Sequence, residues 1–217
     1  MSRVLLATRS SHKAAEIQRI VPATRRFELI TLHDLQVPET ADEETIENAP
    51  TFLANATAKA LYFARRFALP TIADDSGLEV SALGNAPGVR TRRFAIDHGH
   101  IGLAGAELDE ANNRLLLDRM HGIAQKQRAA RYVCAAAFAL DPQNVLQAIG
   151  TCRGEVALEP QGVGGFGYDP IFLLPDLGVT FAQLSPDQKN TRSHRARAFR
   201  ALAVLLPASV DPKPRHG

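Results

Sequence analysis

Apolar positions along the chain follow two rhythms. Residues 3–8 (RVLLAT) form a short apolar run that predicts a buried strand. In SSHKAAEIQRIV, which follows, Ala14, Ile17 and Val21 recur at helical spacing, with Ser10 or Ser11 placed to cap the helix. Residues 27–32 (FELITL) predict a second strand. The acidic stretch 38–50 (PETADEETIENAP) has no clear period and predicts a loop leading into a helix. From Thr51 to Phe67, Phe52, Ala56, Ala60 and Phe63 line one helical face, and Pro70 ends the element. TIADDSGLEV, residues 71–80, predicts two short strands or a strand and a turn. GNAPG (84–88) is turn chemistry, and DHGHIGLAGA (97–106) predicts a mobile loop. ELDEANNRLLLDRM predicts an amphipathic helix. Residues 130–140 and 145–157 predict successive strands joined at DPQN. A last helix is expected from near Ser193, with Phe199, Leu202, Ala203 and Leu206 inward, before a flexible tail over 207–217.

Interspersed strands and helices predict an α/β or α+β chain. Neither a repeat nor a linker divides it, so one domain over residues 1–206 is expected. Composition narrows the class. Of 217 residues 45% are hydrophobic and 22% charged, as in soluble globular proteins. No apolar run reaches the ~18–20 residues of a membrane span, and the apolar start is too short for a signal segment. A cytoplasmic protein with no membrane partner is the expectation. A net charge of +2 is too mild for a nucleic-acid partner, which calls for a clustered basic face. Cys134 and Cys152 form no C-x-x-C, and YVCAAAFAL reads Cys134 as a core residue. His98 and His100 lack a third ligand or a supporting helix and carry no metal site.

The charge make-up is uneven. Among 25 Lys and Arg residues the lysines are only Lys13, Lys59, Lys126, Lys189 and Lys213. A compact ammonium is suited to phosphate, which makes these positions candidates.

Four groups of residues carry possible chemistry. ATRSSHK (7–13) sits between a strand and a helix, where backbone N–H groups favour an anion and Lys13 adds charge; a helix cap with a surface lysine is the structural alternative. GVGGFGYDPIF (162–172) matches G-x-G-x-x-G, but Asp169-Pro170 and an apolar run follow it instead of a helix, so the dinucleotide reading is rejected. Phe166 and Tyr168, expected exposed on this loop, suggest a surface for stacking a flat ring. In QKNTRSHRARAF (188–199), Lys189, Ser193, His194 and Arg195 bunch at an expected helix start and suit an anionic or keto-bearing ligand, or else a solvated basic face. Finally, Glu47 and the pair Asp74-Asp75 supply carboxylates that can hold Mg²⁺ beside phosphates. In an extended strand Asp74 and Asp75 face opposite ways, so at most one points at a given site.

In their order and spacing, LLATRSSHK, NATAKA, IADDSGLEVSALGNAPGV, GGFGYDPIF and K-N-x-x-SHR resemble the inosine triphosphate pyrophosphatase family over nearly the whole chain. The resemblance implies an α/β fold with an elongated mixed β-sheet and flanking helices, forming two lobes around a central cleft. It also implies a homodimer that hydrolyses noncanonical purine nucleoside triphosphates (ITP, dITP, XTP) to the monophosphate and pyrophosphate with Mg²⁺. By position, Thr8, Arg9, Ser10, Ser11, His12 and Lys13 would line the phosphates with Lys59. Asp75 would be the catalytic carboxylate, with Ser76 beside it on substrate. Phe166, Gly167, Tyr168, Asp169, Lys189, His194 and Arg195 would surround base and sugar, His194 or Arg195 donating to a 6-keto oxygen. Two departures stand out: Ser10 replaces the family's usual Asn, and Ala54-Asn55-Ala56 stands where Glu-Asn-Ala is usual. A second Glu-Asn-Ala occurs at Glu47-Asn48-Ala49, but only Asn55 has the right spacing to Lys59, and counting back from it assigns Glu47 to the metal beside Asp75. A Maf-type pyrophosphatase for modified pyrimidine nucleotides and a non-catalytic nucleotide-binding regulator are the alternatives.

Overall fold

The structure is a computed structural model that describes residues 2–21 and 27–207; the expected tail therefore lies almost wholly outside the described residues. Seven strands form one mixed sheet in the order β2-β1-β3-β4-β5-β6-β7. They are β1 (Ser2–Leu6), β2 (Phe27–Thr31), β3 (Thr71–Val80), β4 (Ala129–Asp141), β5 (Asn144–Val156), β6 (Phe172–Leu174) and β7 (Val179–Thr180). Flanking helices are α1 (Ser11–Ile20), α2 (Phe52–Phe67), α3 (Gly105–Arg119), α4 (Pro186–Arg192) and α5 (His194–Leu205). This is the α/β class with a mixed sheet that the sequence led us to expect.

The chain divides into two compact units. The first comprises residues 1–75, 134–150 and 195–217; the second comprises residues 76–133 and 151–194. In the first, β1 runs parallel to both β2 and β3, with Leu6 opposite Ile72. Val4, Leu6, Ile17, Ile72, Phe138, Phe199 and Leu202 fill its core. Each such side chain, once buried, contributes about 1.5–3 kcal/mol. Parallel pairing sets the site: beyond the carboxyl ends of adjacent parallel strands the backbone leaves the ladder, and polar loops collect there. Ala7 still donates to the Ile72 carbonyl at 2.8 Å, so Thr8–Ser10 and Asp74-Asp75 are the groups that lie past the β1 ladder.

In the second unit β6 pairs antiparallel with both β5 and β7. Leu78, Val80, Leu116, Met120, Tyr132, Phe172 and Phe181 are among its core residues. Arg128 is buried there and donates to the carbonyls of Val156, Met120 and Ala157, so its charge is solvated by backbone.

Two local expectations are corrected. TIADDSGLEV is one unbroken ten-residue strand, not two elements, and nine of its ten residues are buried. Ser76-Gly77 does not turn because the apolar residues on either side, Ile72 and Leu78, belong to the cores of the first and second units respectively. The stretch from Gln188 to Phe199 spans two helices. A capping box of Ser185 and Gln188 starts α4, and extended Ser193 separates it from α5. Lys189 and Arg192 thus occupy the last turn of α4, where a cation complements the helix dipole. Only His194 and Arg195 stand at a helix start.

Candidate active site

The first unit gathers the acid-base residues. Ser10 is the N-cap of α1, its hydroxyl accepting from Lys13 N at 3.3 Å, while Thr8 Oγ1 accepts from Ser10 N at 3.2 Å. This turn sends Lys13 back to the carboxyl end of β1. Its Nζ lies 3.2 Å from Asp74 Oδ2. Asp74 is fully buried; Arg195 Nε approaches the same oxygen at 3.4 Å, and the Cys134 thiol at 4.0 Å. Arg195 in turn pairs with Glu16 of α1. Burial alone would raise the Asp74 pKa, but Lys13, Arg195 and Lys59 together hold it well below the ordinary carboxylate range. Asp74 is a permanent anion.

Asp75, the next residue on the strand, behaves in the opposite way. Burial is the largest influence on it, and the Glu47 charge adds to it. Lys13, Lys59 and a hydrogen bond from Asn55 Nδ2 (2.9 Å) pull the other way without overcoming them. Its pKa is raised to about 6. One backbone step therefore separates a fixed charge from a carboxylate able to exchange a proton near neutrality, because alternate side chains enter different surroundings.

Helix α2 presents Asn55 and Lys59 one turn apart along the edge of the buried stripe of Ala56, Ala60 and Phe63, with Asn55 itself buried. Lys59 Nζ pairs with Glu47. Glu47 is thereby kept ionised despite its burial, through Lys59 first and Lys13 second. Asn55 works at both ends: its Oδ1 accepts from Ala49 N at 2.8 Å, tying the Glu47-bearing segment to the helix that also holds Asp75. Asn55 entered the sequence reading only as a spacing marker; Glu16 was missed altogether, although its place one turn after Lys13 was available as a signal.

The second unit gathers rings. Lys189 Nζ bonds Asp169 Oδ2 at 2.5 Å, both residues being buried, and sits 4.7 Å from the Phe166 ring centroid. Phe166 N donates to that same Asp169 oxygen at 3.0 Å. A Cβ on Gly165 would come within 2.0 Å of it, and Gly165 has φ +76°, so the close approach needs glycine there. Gly167 is held on both sides of its peptide, N to Asp109 at 2.8 Å and O from Asn113 at 2.9 Å, both from α3. His194 stacks flat on Tyr132, centroids 4.5 Å apart at 8°. Asp109, Asn113 and Tyr132 were not anticipated; each acts on the loop or the stack across a long sequence separation that a single chain does not reveal.

Several predicted site residues have partners within the chain. Tyr168 is not an exposed stacking ring: it is buried and its hydroxyl donates to the Thr91 carbonyl at 2.9 Å. The Arg195 guanidinium is engaged by Asp74 and Glu16. The Arg9 guanidinium bonds Glu43 and the carbonyls of Val37 and Pro38. Ser11 and His12 are exposed, and Ser76 is buried beside Asp75.

Among the described residues no group of three or more His, Cys, Asp or Glu side chains forms a ready metal cage, and no helix is long and apolar enough to cross a membrane. The two carboxylates Glu47 and Asp75 do repel one another, the situation a shared cation relieves.

A mixed sheet with an acid-base cluster past its parallel strands and a ring cluster in the second unit describes an α/β nucleotide-processing enzyme. The chain matches the Ham1 family over residues 4–205 and belongs to it. It is 40% identical to a dITP/XTP pyrophosphatase of Geobacillus kaustophilus over 99% of each chain. To the dITP/XTP pyrophosphatase of Treponema pallidum it is 43% identical over 97% of this chain and 73% of that one. A solved HAM1 protein from Coxiella burnetii superposes with TM-score 0.79 at 34% identity, covering 94% of this chain and 98% of the other.

Proposed function

We propose that this protein hydrolyses noncanonical purine nucleoside triphosphates, ITP, dITP and XTP, to the monophosphate and pyrophosphate. One observation carries the reading: Asp75, poised at about 6, stands next to a permanently ionised Asp74 and beside two lysines. A general base needs a pKa near working pH, and Asp75 has one. Asp75 takes a proton from water, the water oxygen bonds the α-phosphorus, and the α–β bridging bond breaks with its electrons leaving on pyrophosphate. Lys13 and Lys59 stabilise the charge that grows there. Asp74 keeps Lys13 oriented and does not itself exchange a proton.

Glu47 and Asp75 are the side chains that would hold Mg²⁺, an ion commonly bound through one or two carboxylates plus substrate phosphates. When bound, the ion supplies charge neutralisation on the triphosphate. The second unit suits a purine: half-buried Phe166 offers a flat surface, and Lys189 or His194 offers a donor to a 6-keto oxygen. An amino group at that position, as in ATP, gives the donor no partner. Family membership also supports a homodimer and a cytoplasmic place of work. Pyrophosphate release from ITP with Mg²⁺ tests the activity. ITP binding without turnover would favour the non-catalytic regulator instead.

A further inference from the structure

Arg9 lies in the loop expected to meet phosphate, yet its donors are committed elsewhere. Nε and Nη2 form a bidentate pair with Glu43 at 3.0 and 2.6 Å; Nη1 donates to Val37 O at 2.5 Å and Nη2 to Pro38 O at 3.0 Å. That occupies four of a guanidinium's five N–H donors. Glu43 receives a second arginine on the oxygen that Arg9 Nη2 bonds: Arg66 of α2 reaches Oε1 at 3.3 Å, and also Thr40 Oγ1 at 3.1 Å and the Tyr62 hydroxyl at 2.9 Å. The Glu43 side chain is only 8% exposed. A buried carboxylate gripped by two arginines has one arrangement, whereas an exposed ion pair has many.

The segment so gripped is the one that carries Glu47. Ala41–Thr45 is a 3₁₀ turn with no side-chain N-cap, a form with weak intrinsic stability. The segment is anchored before Glu47 by Glu43 and by Asp42, which accepts from the Tyr62 hydroxyl, at Glu47 by Lys59, and after it by Ala49, held by Asn55. We propose that Arg9, Glu43 and Arg66 form a clamp that positions Glu47 for the metal, which makes Glu43 a positioning residue and Arg9 its partner instead of a phosphate ligand. This rests on the assignment of Glu47 to the metal. Without the clamp Glu47 still pairs with Lys59, but its segment explores more conformations, and the fraction competent to share a cation with Asp75 falls.

Mn²⁺ binding, followed by electron paramagnetic resonance in the presence of a non-hydrolysable α,β-imido ITP, reads the effect without turnover. In Glu43→Gln and Arg9→Gln the Mn²⁺ dissociation constant is expected to rise about tenfold, while kcat at saturating metal changes less than threefold. Hydrogen exchange of peptides covering residues 37–48 is expected to speed up. Arg9→Lys, which keeps charge but loses the fork, is expected to recover only part of the affinity. Arg114→Gln, which breaks an exposed helix pair with Glu110, is the control and changes none of these. If Glu43→Gln melts earlier yet binds Mn²⁺ as tightly as the parent, the clamp is structural only and the inference is overturned. If Arg9→Gln raises KM for the triphosphate with Mn²⁺ affinity intact, Arg9 is a phosphate ligand after all. Glu47→Gln separates the two levels. If it leaves Mn²⁺ affinity unchanged, the metal assignment falls and takes the clamp with it; if it alone weakens Mn²⁺, only the clamp falls.

Discussion

The two units hold side chains of different chemistry. In the first, Lys13, Lys59, Arg195, Asp74, Asp75 and Glu47 crowd together, and what matters is how each charge shifts its neighbours. In the second, half-buried Phe166 supplies a face, and a buried ion pair, Lys189–Asp169, places a donor beside it, while Tyr132, Phe181 and His194 pack on one another in the interior. Charge clusters suit a flexible polyanion, because Coulomb attraction tolerates rotation; rings and a fixed donor suit a flat heterocycle, because stacking and hydrogen bonds do not. Changes in the first unit should therefore alter rate and stability, and changes in the second should alter selectivity.

The largest expected effect is on rate. Asp75→Asn removes the proton acceptor while keeping the hydrogen bond from Asn55, so kcat should fall about 10³-fold with the affinity for a non-hydrolysable ITP analogue nearly unchanged. Rapid-quench turnover and calorimetric binding measure the two. A loss of binding as large as the loss of rate would remove Asp75 from the chemistry.

Asp74→Asn acts differently on the adjacent residue. It leaves Lys13 and buried Arg195 without their shared anion, and breaking such a pair costs about 3 kcal/mol. Urea denaturation should report that loss, while the hydrolysis rate of the folded variant falls less than in Asp75→Asn. A larger rate effect from Asp74→Asn would reverse the assigned roles.

Lys189→Met tests the second unit. It should reduce the ITP-to-ATP ratio of kcat/KM by about 10–100-fold, the range for one lost charged hydrogen bond, mostly through ITP. An unchanged ratio with a lower rate would move Lys189 to the phosphates.

The smallest expected effect is on pH. The Asp75 carboxyl titrates at about 6 in the folded protein against an ordinary 3.8, so the folded state binds this proton more tightly than the unfolded chain. Its contribution to stability is complete below about 4 and is lost as pH rises through about 6. In metal-free protein Asp75→Asn should therefore raise the unfolding free energy above pH 6, by on the order of 1–3 kcal/mol, and change little below pH 4. For hydrolysis the sign is opposite: the ionised form is the base, so kcat/KM should fall as pH drops, with a midpoint below that of the metal-free carboxyl because a bound cation favours the ionised form.

Much of the fold was legible because its elements are locally encoded. β4 and β5 show their turn at DPQN, and α2 shows its apolar stripe. The unbroken course of β3 was not, since Ser-Gly is turn chemistry unless packing on both sides overrides it. In the site, the residue types and the order of the motifs pointed to Asp75, Glu47, Lys13 and Lys59. What one chain did not disclose was direction. Tyr168 turns inward to Thr91, Arg195 turns to Asp74 and Glu16, and Arg9 turns to Glu43, each because a partner distant in sequence satisfies its polar group. Motif position locates a side chain; its partners decide what it does.

The most direct measurement is pyrophosphate release under saturating Mg²⁺ from ITP and from ATP, compared as kcat/KM. The expected result is a preference for ITP of at least about 10²-fold, reaching about 10⁴ if the 6-keto donor is fully buried in the complex. Equal turnover of ITP and ATP would contradict a purine site built around a fixed donor.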